Sequence, residues 1–104
     1  MKQHTEEQQK ALKMATESLC RAFLTLGNPA EVRLFLLDLC TPSEVEAKVD
    51  RWWTASLLNE GHSYREISEI TGVSVTTIGR VARYLNMGEG GYRLAIRREK
   101  AGSQ

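Results

Sequence analysis

The sequence lacks the marks of several large protein classes. Cysteine is scarce: Cys20 and Cys40 are the only two among 104 residues. Two cysteines build neither a disulfide framework nor a four-ligand zinc site, so both are expected as free thiols in a reducing cytosol. Long apolar runs are missing. The longest, Leu34-Phe35-Leu36-Leu37, falls far short of a membrane span, and no membrane partner is expected. Met1-Lys2-Gln3-His4-Thr5-Glu6-Glu7 leads into no apolar stretch, so no signal peptide is expected either. Neither sign of charge dominates: 14 Lys and Arg stand against 13 Asp and Glu, a net +1. That balance excludes a basic tail protein and an acidic disordered one. Alternating apolar and polar residues, internal repeats and low-complexity tracts are absent too, which leaves no strand to predict.

What is present is ordinary in amount. Apolar residues make up 41% and charged residues 26%, as in a soluble globular protein. The length suffices for a single domain over 1–104 with one modest core. Charge is unevenly spread. Residues 1–60 carry 7 basic and 9 acidic side chains, and residues 61–104 carry 7 and 4. A locally basic second half suits a polyanionic partner. Chance scatter gives the same imbalance, so charge alone does not decide.

The punctuation is helical. The two prolines, Pro29 and Pro42, each follow a good N-cap residue. In Asn28-Pro29-Ala30-Glu31 and Thr41-Pro42-Ser43-Glu44 the Asn or Thr caps free N–H groups. Proline at the first helical position loses no useful donor, and Glu three residues past the cap reaches back. Ser63-Tyr64-Arg65-Glu66 is a third box without proline. Leu12, Ala15, Leu19, Ala22, Phe23 and Leu26 mark one face of a long first helix, which Gly27 is expected to end. A short second helix, roughly 29–39, is apolar almost all round and is expected to be buried or to sit in a subunit interface. A third, about 42–60, carries Val45, Val49, Trp52, Trp53 and Leu57 before Gly61. Adjacent Trp52 and Trp53 cannot point the same way; one is expected to enter the core and the other to cover a second surface. Ala101-Gly102-Ser103-Gln104 are expected to fray.

The informative stretch is roughly 63–86, which has the pattern of a helix-turn-helix. A short helix begins at Ser63 and ends near Thr71. Gly72 supplies a tight, left-handed turn, Val73 plugs the angle, and Ser74 caps the next helix. Ile67, Val73, Ile78 and Val81 are spaced to share one small core, and Ser68 is small where the helices cross. The second helix then presents Val75, Thr76, Thr77 and Arg80. Short hydroxyls and methyls at a helix N-terminus, with Arg a turn later, suit base edges in a major groove. Arg65 and Arg83 flank them and are expected to reach phosphates.

These residues carry a resemblance. Ser63-Tyr64-Arg65-Glu66-Ile67, Thr71-Gly72-Val73-Ser74, Arg80-Val81-Ala82-Arg83 and Gly90-Gly91-Tyr92-Arg93-Leu94-Ala95 resemble the Trp repressor family of bacterial transcription regulators, and within it the YerC/YecD branch. The likeness covers about half the chain in motif detail and nearly all of it in helix order. It implies an all-α, six-helix fold, an intertwined homodimer built on helices in about 6–60, and a last helix near 89–100. It implies double-stranded DNA as partner and a regulator, a repressor by family habit, rather than an enzyme. The family's DNA-contacting positions fall on Arg65, Val75, Thr76, Thr77, Gly79 and Arg80, to which the residue reading adds Ser74 and Arg83. Gly79 departs from the family's usual threonine; it removes a contact and costs about 1 kcal/mol of helix stability relative to Ala. A different operator is therefore expected.

The family's tryptophan pocket falls on Thr41, Arg51, Arg80, Val81 and Tyr84. The two arginines match and could sandwich an aromatic ring and hold a carboxylate. Val81 and Tyr84 stand where the Trp repressor has small residues, and are expected to fill the ligand's space. No cofactor is therefore expected, with tryptophan or another small aromatic acid as the alternative. Other constellations are weak. His4 and His62 lack ligand-spaced partners, and Gly88-Glu89-Gly90-Gly91 precedes no Lys-Ser or Lys-Thr, so it is no phosphate loop. Arg93, Arg97 and Arg98 on the last helix fit either DNA backbone or a solvated face. Two further readings stay open: a helix-turn-helix used only to bind protein, and the DNA-binding fragment of a transposase or recombinase.

Overall fold

The computed structural model describes residues 4–102, and among them it has six helices and no strand. They are α1 (Glu6–Leu24), α2 (Pro29–Leu39), α3 (Pro42–Asn59), α4 (Tyr64–Thr71), α5 (Val75–Met87) and α6 (Gly91–Gly102). The helices fall into two compact units, one reaching to Thr41 and the other starting at Pro42.

The first unit is two helices. Thr5 starts α1 with a full capping box: its hydroxyl accepts from the Gln8 N–H at 3.2 Å, and the Gln8 side chain accepts from the Thr5 N–H at 2.8 Å. Thr5-Glu6-Glu7-Gln8 spells this box in the sequence. Gly27 does not end the helix. The end comes earlier, at Thr25, which keeps a right-handed backbone and donates its hydroxyl to the Ala22 carbonyl at 2.6 Å. With its last carbonyls bonded by Thr25, α1 needs no left-handed glycine. Asn28 caps α2 as expected, accepting from the Glu31 N–H at 3.0 Å. Glu31 does reach back, but to the Gly27 N–H at 2.7 Å rather than to the cap residue. The Phe23 and Phe35 rings meet edge to face with centroids 5.1 Å apart. No residue of α1 or α2 is buried. Leu34 is 67% exposed and Leu37 50%, so α2 is not a buried helix within the chain.

The second unit has a core in two clusters. Ala55, Val81, Leu85 and Ile96 form one, with Leu58 and Tyr92 against it. Ile67, Val73 and Ile78 form the other, with Leu57 and Leu58 against it. Val81 therefore packs on α3 and α6, not with the helix-turn-helix trio as the spacing suggested. Leu58 touches both clusters and joins them. The tryptophans also differ from expectation. Neither Trp52 nor Trp53 is buried, at 36% and 42% exposure, and the buried residues of α3 are Thr54 and Ala55. Residues 51, 54, 55 and 58 make one stripe at helical spacing, and small Ala55 lets α3 lie close on α5. The tryptophans fall off that stripe. Gly61, at φ +91°, turns the chain out of α3, and the His62 N–H bonds back to the Leu57 carbonyl at 3.2 Å. At the far end Ala101 and Gly102 continue α6 instead of fraying; Ser103 and Gln104, like Met1-Lys2-Gln3, lie outside the described residues. Arg93 donates to the Asn86 side-chain oxygen at 2.8 Å, tying α6 to the last turn of α5.

Candidate nucleic-acid interface

The α4–α5 pair is pinned by short polar contacts. The Ser63 hydroxyl accepts from the Glu66 N–H at 3.1 Å, and the Glu66 carboxylate accepts from the Ser63 N–H at 2.8 Å. The Ser63 backbone N–H, then its hydroxyl and nearby His62, hold the Glu66 carboxyl below its ordinary pKa. Gly72 ends α4 at φ +76°, ψ 2°, and its N–H bonds to the Ser68 carbonyl at 2.9 Å. Thr71 adds a contact that sequence spacing does not announce. Its hydroxyl donates to the Ile67 carbonyl at 2.7 Å and accepts from the Val73 N–H at 3.0 Å. Val73 is buried at the angle. Ser74 caps α5, accepting from the Thr77 N–H at 3.2 Å, and the Ser74 and Thr77 hydroxyls bond at 3.1 Å. Each break between the two helices is thus fixed by a residue type that suits its conformation.

Such pinning gives α5 two distinct sides. Ile78, Val81, Ala82 and Leu85 are buried. Val75, Thr76, Arg80 and Arg83 are exposed on the opposite side, and Thr77 and Gly79 are half-buried on its two flanks. Arg65 is almost wholly exposed beside α5's partner helix and lies 3.5 Å from Glu69, an ion pair that water screens. The exposed cap Ser74 completes the set of eight residues expected at DNA.

On the Thr77 flank, Arg51, Thr77, Arg80, Val81, Tyr84 and Tyr92 line a cavity of about 370 Å³. A second cavity, about 320 Å³, lies next to it under the turn, lined by Ala47, Asp50, Gly72, Val73 and Ser74 and again by Arg51 and Thr77.

The sequence profile of the Trp repressor protein family matches residues 14–100. The chain belongs to the Trp repressor family. It is 38% identical over 84 residues, 81% of each chain, to the uncharacterised protein YerC of Bacillus subtilis (strain 168). A solved TrpR-like protein of Eubacterium eligens superposes at a TM-score of 0.79 with 38% identity, covering 84% of this chain and 90% of that one. A Staphylococcus aureus protein solved as a candidate Trp repressor gives 0.79 with 34% identity, covering 84% and 87%. The six-helix expectation drawn from the resemblance therefore holds, and the family is one of helix-turn-helix regulators.

Of the five positions where a Trp repressor would hold its ligand, Arg51, Arg80, Val81 and Tyr84 line the first cavity, and Thr41 is the last residue of the other unit. Thr77 and Tyr92 line it in addition; Tyr92 arrives from α6, which spacing along α3 and α5 could not reveal. Val81 is spent on the core, at 2% exposure, and Tyr84 stays 60% exposed along the cavity's wall. Cys20 is exposed and Cys40 half-buried, and both are free. Among the described residues no helix is long and apolar enough to cross a membrane.

Proposed function

We propose that the chain is a sequence-specific DNA-binding regulator that acts as a homodimer, with α5 as the recognition helix in the major groove. The observation that carries this reading is the exposed side of α5. Val75, Thr76 and Arg80 stand clear of the core in the N-terminal half of a helix whose start is fixed by a rigid turn, and Arg83 follows a turn later on the same side. A methyl-bearing face reads thymine methyls, threonine hydroxyls read donors and acceptors, and Arg takes guanine or phosphate. Arg65 and Arg83 anchor the backbone on either side. Dimerisation is supported by the exposed apolar residues of α1 and α2, an area a soluble chain ordinarily covers. Two recognition helices then meet half-sites about 34 Å apart. Repression follows from occupying a promoter.

The test is selection of duplexes from a random pool at two salt concentrations, with and without tryptophan. The expected result is an enriched palindrome whose binding weakens steeply with salt. Alanine at both Thr76 and Thr77 abolishes the enrichment. Binding insensitive to that pair removes α5 from the recognition role, and the absence of any DNA binding leaves the protein-interaction module.

A second reading is favoured by the cavity. At about 370 Å³ it falls within the size of small-molecule sites, about 300–1,000 Å³. Two arginines and two tyrosines suit a small aromatic acid. Arg80 belongs both to the cavity and to the DNA-facing side of α5, so a bound acid would act on the arginine that meets DNA. Gating requires that the acid bind the DNA-competent arrangement more tightly. Calorimetry with tryptophan and with simpler aromatic acids tests it; no heat and no shift in DNA affinity exclude it.

A further inference from the structure

Gly79 sits half-buried on the flank of α5, at the edge of the side that faces away from the core. Val75 and Arg83 lie four residues to either side and Thr76 lies three before it, so all three are its neighbours on the helix surface. A glycine there leaves a gap in an otherwise continuous row of side chains. The gap is not open. A Cβ at residue 79 would lie 3.9 Å from Cε2 of the Tyr64 ring, an ordinary contact. Tyr64 is the first residue of α4 and keeps 42% of its surface exposed. Its ring therefore covers Gly79 with one part and faces solvent with another. Its phenol has no hydrogen-bond partner among those found for the described residues.

We propose that Tyr64 is a specificity-determining DNA-contact residue. Its ring, laid over Gly79, replaces the side chain that α5 lacks at that position. The pair works as one reading element contributed by two helices: glycine makes the room and tyrosine fills it with an aromatic edge and a hydroxyl. This edge lies against position 79, whose neighbours on the helix surface are Val75, Thr76 and Arg83, so it is placed to meet the base pairs next to those that Thr76 reads. The inference deepens the DNA-binding reading and rests on it. Its chemistry is that of a base edge: an apolar ring against a thymine methyl and a phenol able to donate or accept. A role in packing α4 on α5 alone would need the ring but would leave base preference untouched.

The experiment is the random-pool selection repeated with Tyr64→Ala, Tyr64→Phe, Gly79→Thr and Gly79→Ala, each with its melting temperature. Wild-type protein selecting a palindrome secures the underlying reading. Tyr64→Ala is then expected to change base preference at one or two adjacent positions of each half-site. It lowers affinity for the wild-type site about tenfold while random duplex binds as before. Gly79→Thr displaces the ring and changes preference at the same positions, which keeps the proposal testable if Tyr64→Ala fails to fold. Tyr64→Phe separates hydroxyl from ring, and an altered preference there assigns the contact to the phenol. Gly79→Ala fits beneath the ring, melts higher and keeps the wild-type preference. Preference unchanged in both Tyr64→Ala and Gly79→Thr overturns the proposal, as does an equal loss on every sequence, which marks a phosphate anchor. If the wild-type protein binds no DNA, the reading and the proposal fall together.

Discussion

The two units of the chain are built from the same kind of residue and end differently. In the first, α1 is amphipathic and α2 apolar almost all round, both with capped starts, yet they bury no residue. In the second, α3 to α6 bury Ala55, Ile67, Val73, Ile78, Val81, Ala82, Leu85 and Ile96. Helical patterning is thus sufficient to form a helix and insufficient to give it a core. Capping and proline placement are local and need no partner, whereas burial needs a second surface. The second unit supplies its own through the sharp turn at Gly72, which folds α5 back on α4. In the first, the Phe23 and Phe35 rings meet edge to face, and no described residue of either helix is buried.

The largest expected effect sharpens this contrast. Ile78 is fully buried in the helix-turn-helix cluster, so Ile78→Ala is expected to destabilise by about 2–5 kcal/mol. The loss should be the same at every protein concentration. Leu37→Ala in the first unit removes an exposed side chain and can act only through association. Its effect on Tm should shrink as the protein is diluted toward separate chains. Thermal melts across a hundredfold range of concentration check both. A Leu37→Ala cost that is large and independent of concentration breaks the comparison, because it makes α2 part of a core within one chain.

The turn itself comes next. Gly72 lies at φ +76°, and a Cβ there would touch nothing within 4 Å. Gly72→Ala therefore introduces conformational strain without collision, about 1–2 kcal/mol. Chemical denaturation measures it, and an unchanged midpoint would mean that the turn relaxes to a right-handed backbone. Thr54 offers the opposite sign. It is fully buried, and its hydroxyl finds no hydrogen-bond partner among the described residues. Thr54→Val keeps the shape and removes an unpaired polar group, so it is expected to stabilise by about 1 kcal/mol. A loss of stability instead would mean that the hydroxyl is satisfied in solution.

Most of the second unit was legible because its signals are local. Ser63, Gly72 and Ser74 announce helix ends within three or four residues, and each stands where the spacing put it. The same logic found Asn28 and overlooked Thr5, although the box Thr5 to Gln8 is equally plain. What failed was anything that depends on distance in the chain. Val81 joined Ile96 rather than Ile67 because α6 returns to pack on α5, and no periodicity within α5 reports that return. The tryptophans misled because size was taken for depth, while the close approach of α3 to α5 favours Ala55. Tyr92 completed the cavity from about eight residues beyond Tyr84, across a turn at Gly90 that the sequence shows only as a loose glycine run. The Tyr64–Gly79 contact was hidden for the same reason: its two residues are read separately until the turn brings them together.

The smallest expected effect is on the start of α4, where pH gives a handle on a local signal. Glu66 accepts from the Ser63 N–H, and this bond, with the Ser63 hydroxyl and His62, lowers its pKa in the folded chain. A carboxylate whose folded pKa is depressed stabilises the fold above its unfolded pKa, about 4.3. That contribution is lost as pH falls through the lower, folded value. Because Glu66 is exposed, water screens the effect and the change in global stability should be slight. The box also has a local readout: amide exchange at Ser63 should quicken relative to the intrinsic rate as pH falls below the ordinary carboxylate range, since only the ionised carboxylate accepts fully. Glu66→Gln retains an acceptor without a titratable proton, so its Ser63 amide should show no such step. The same step in Glu66→Gln would assign the acid transition to another group and leave the box a purely geometric cap, like those of the first unit.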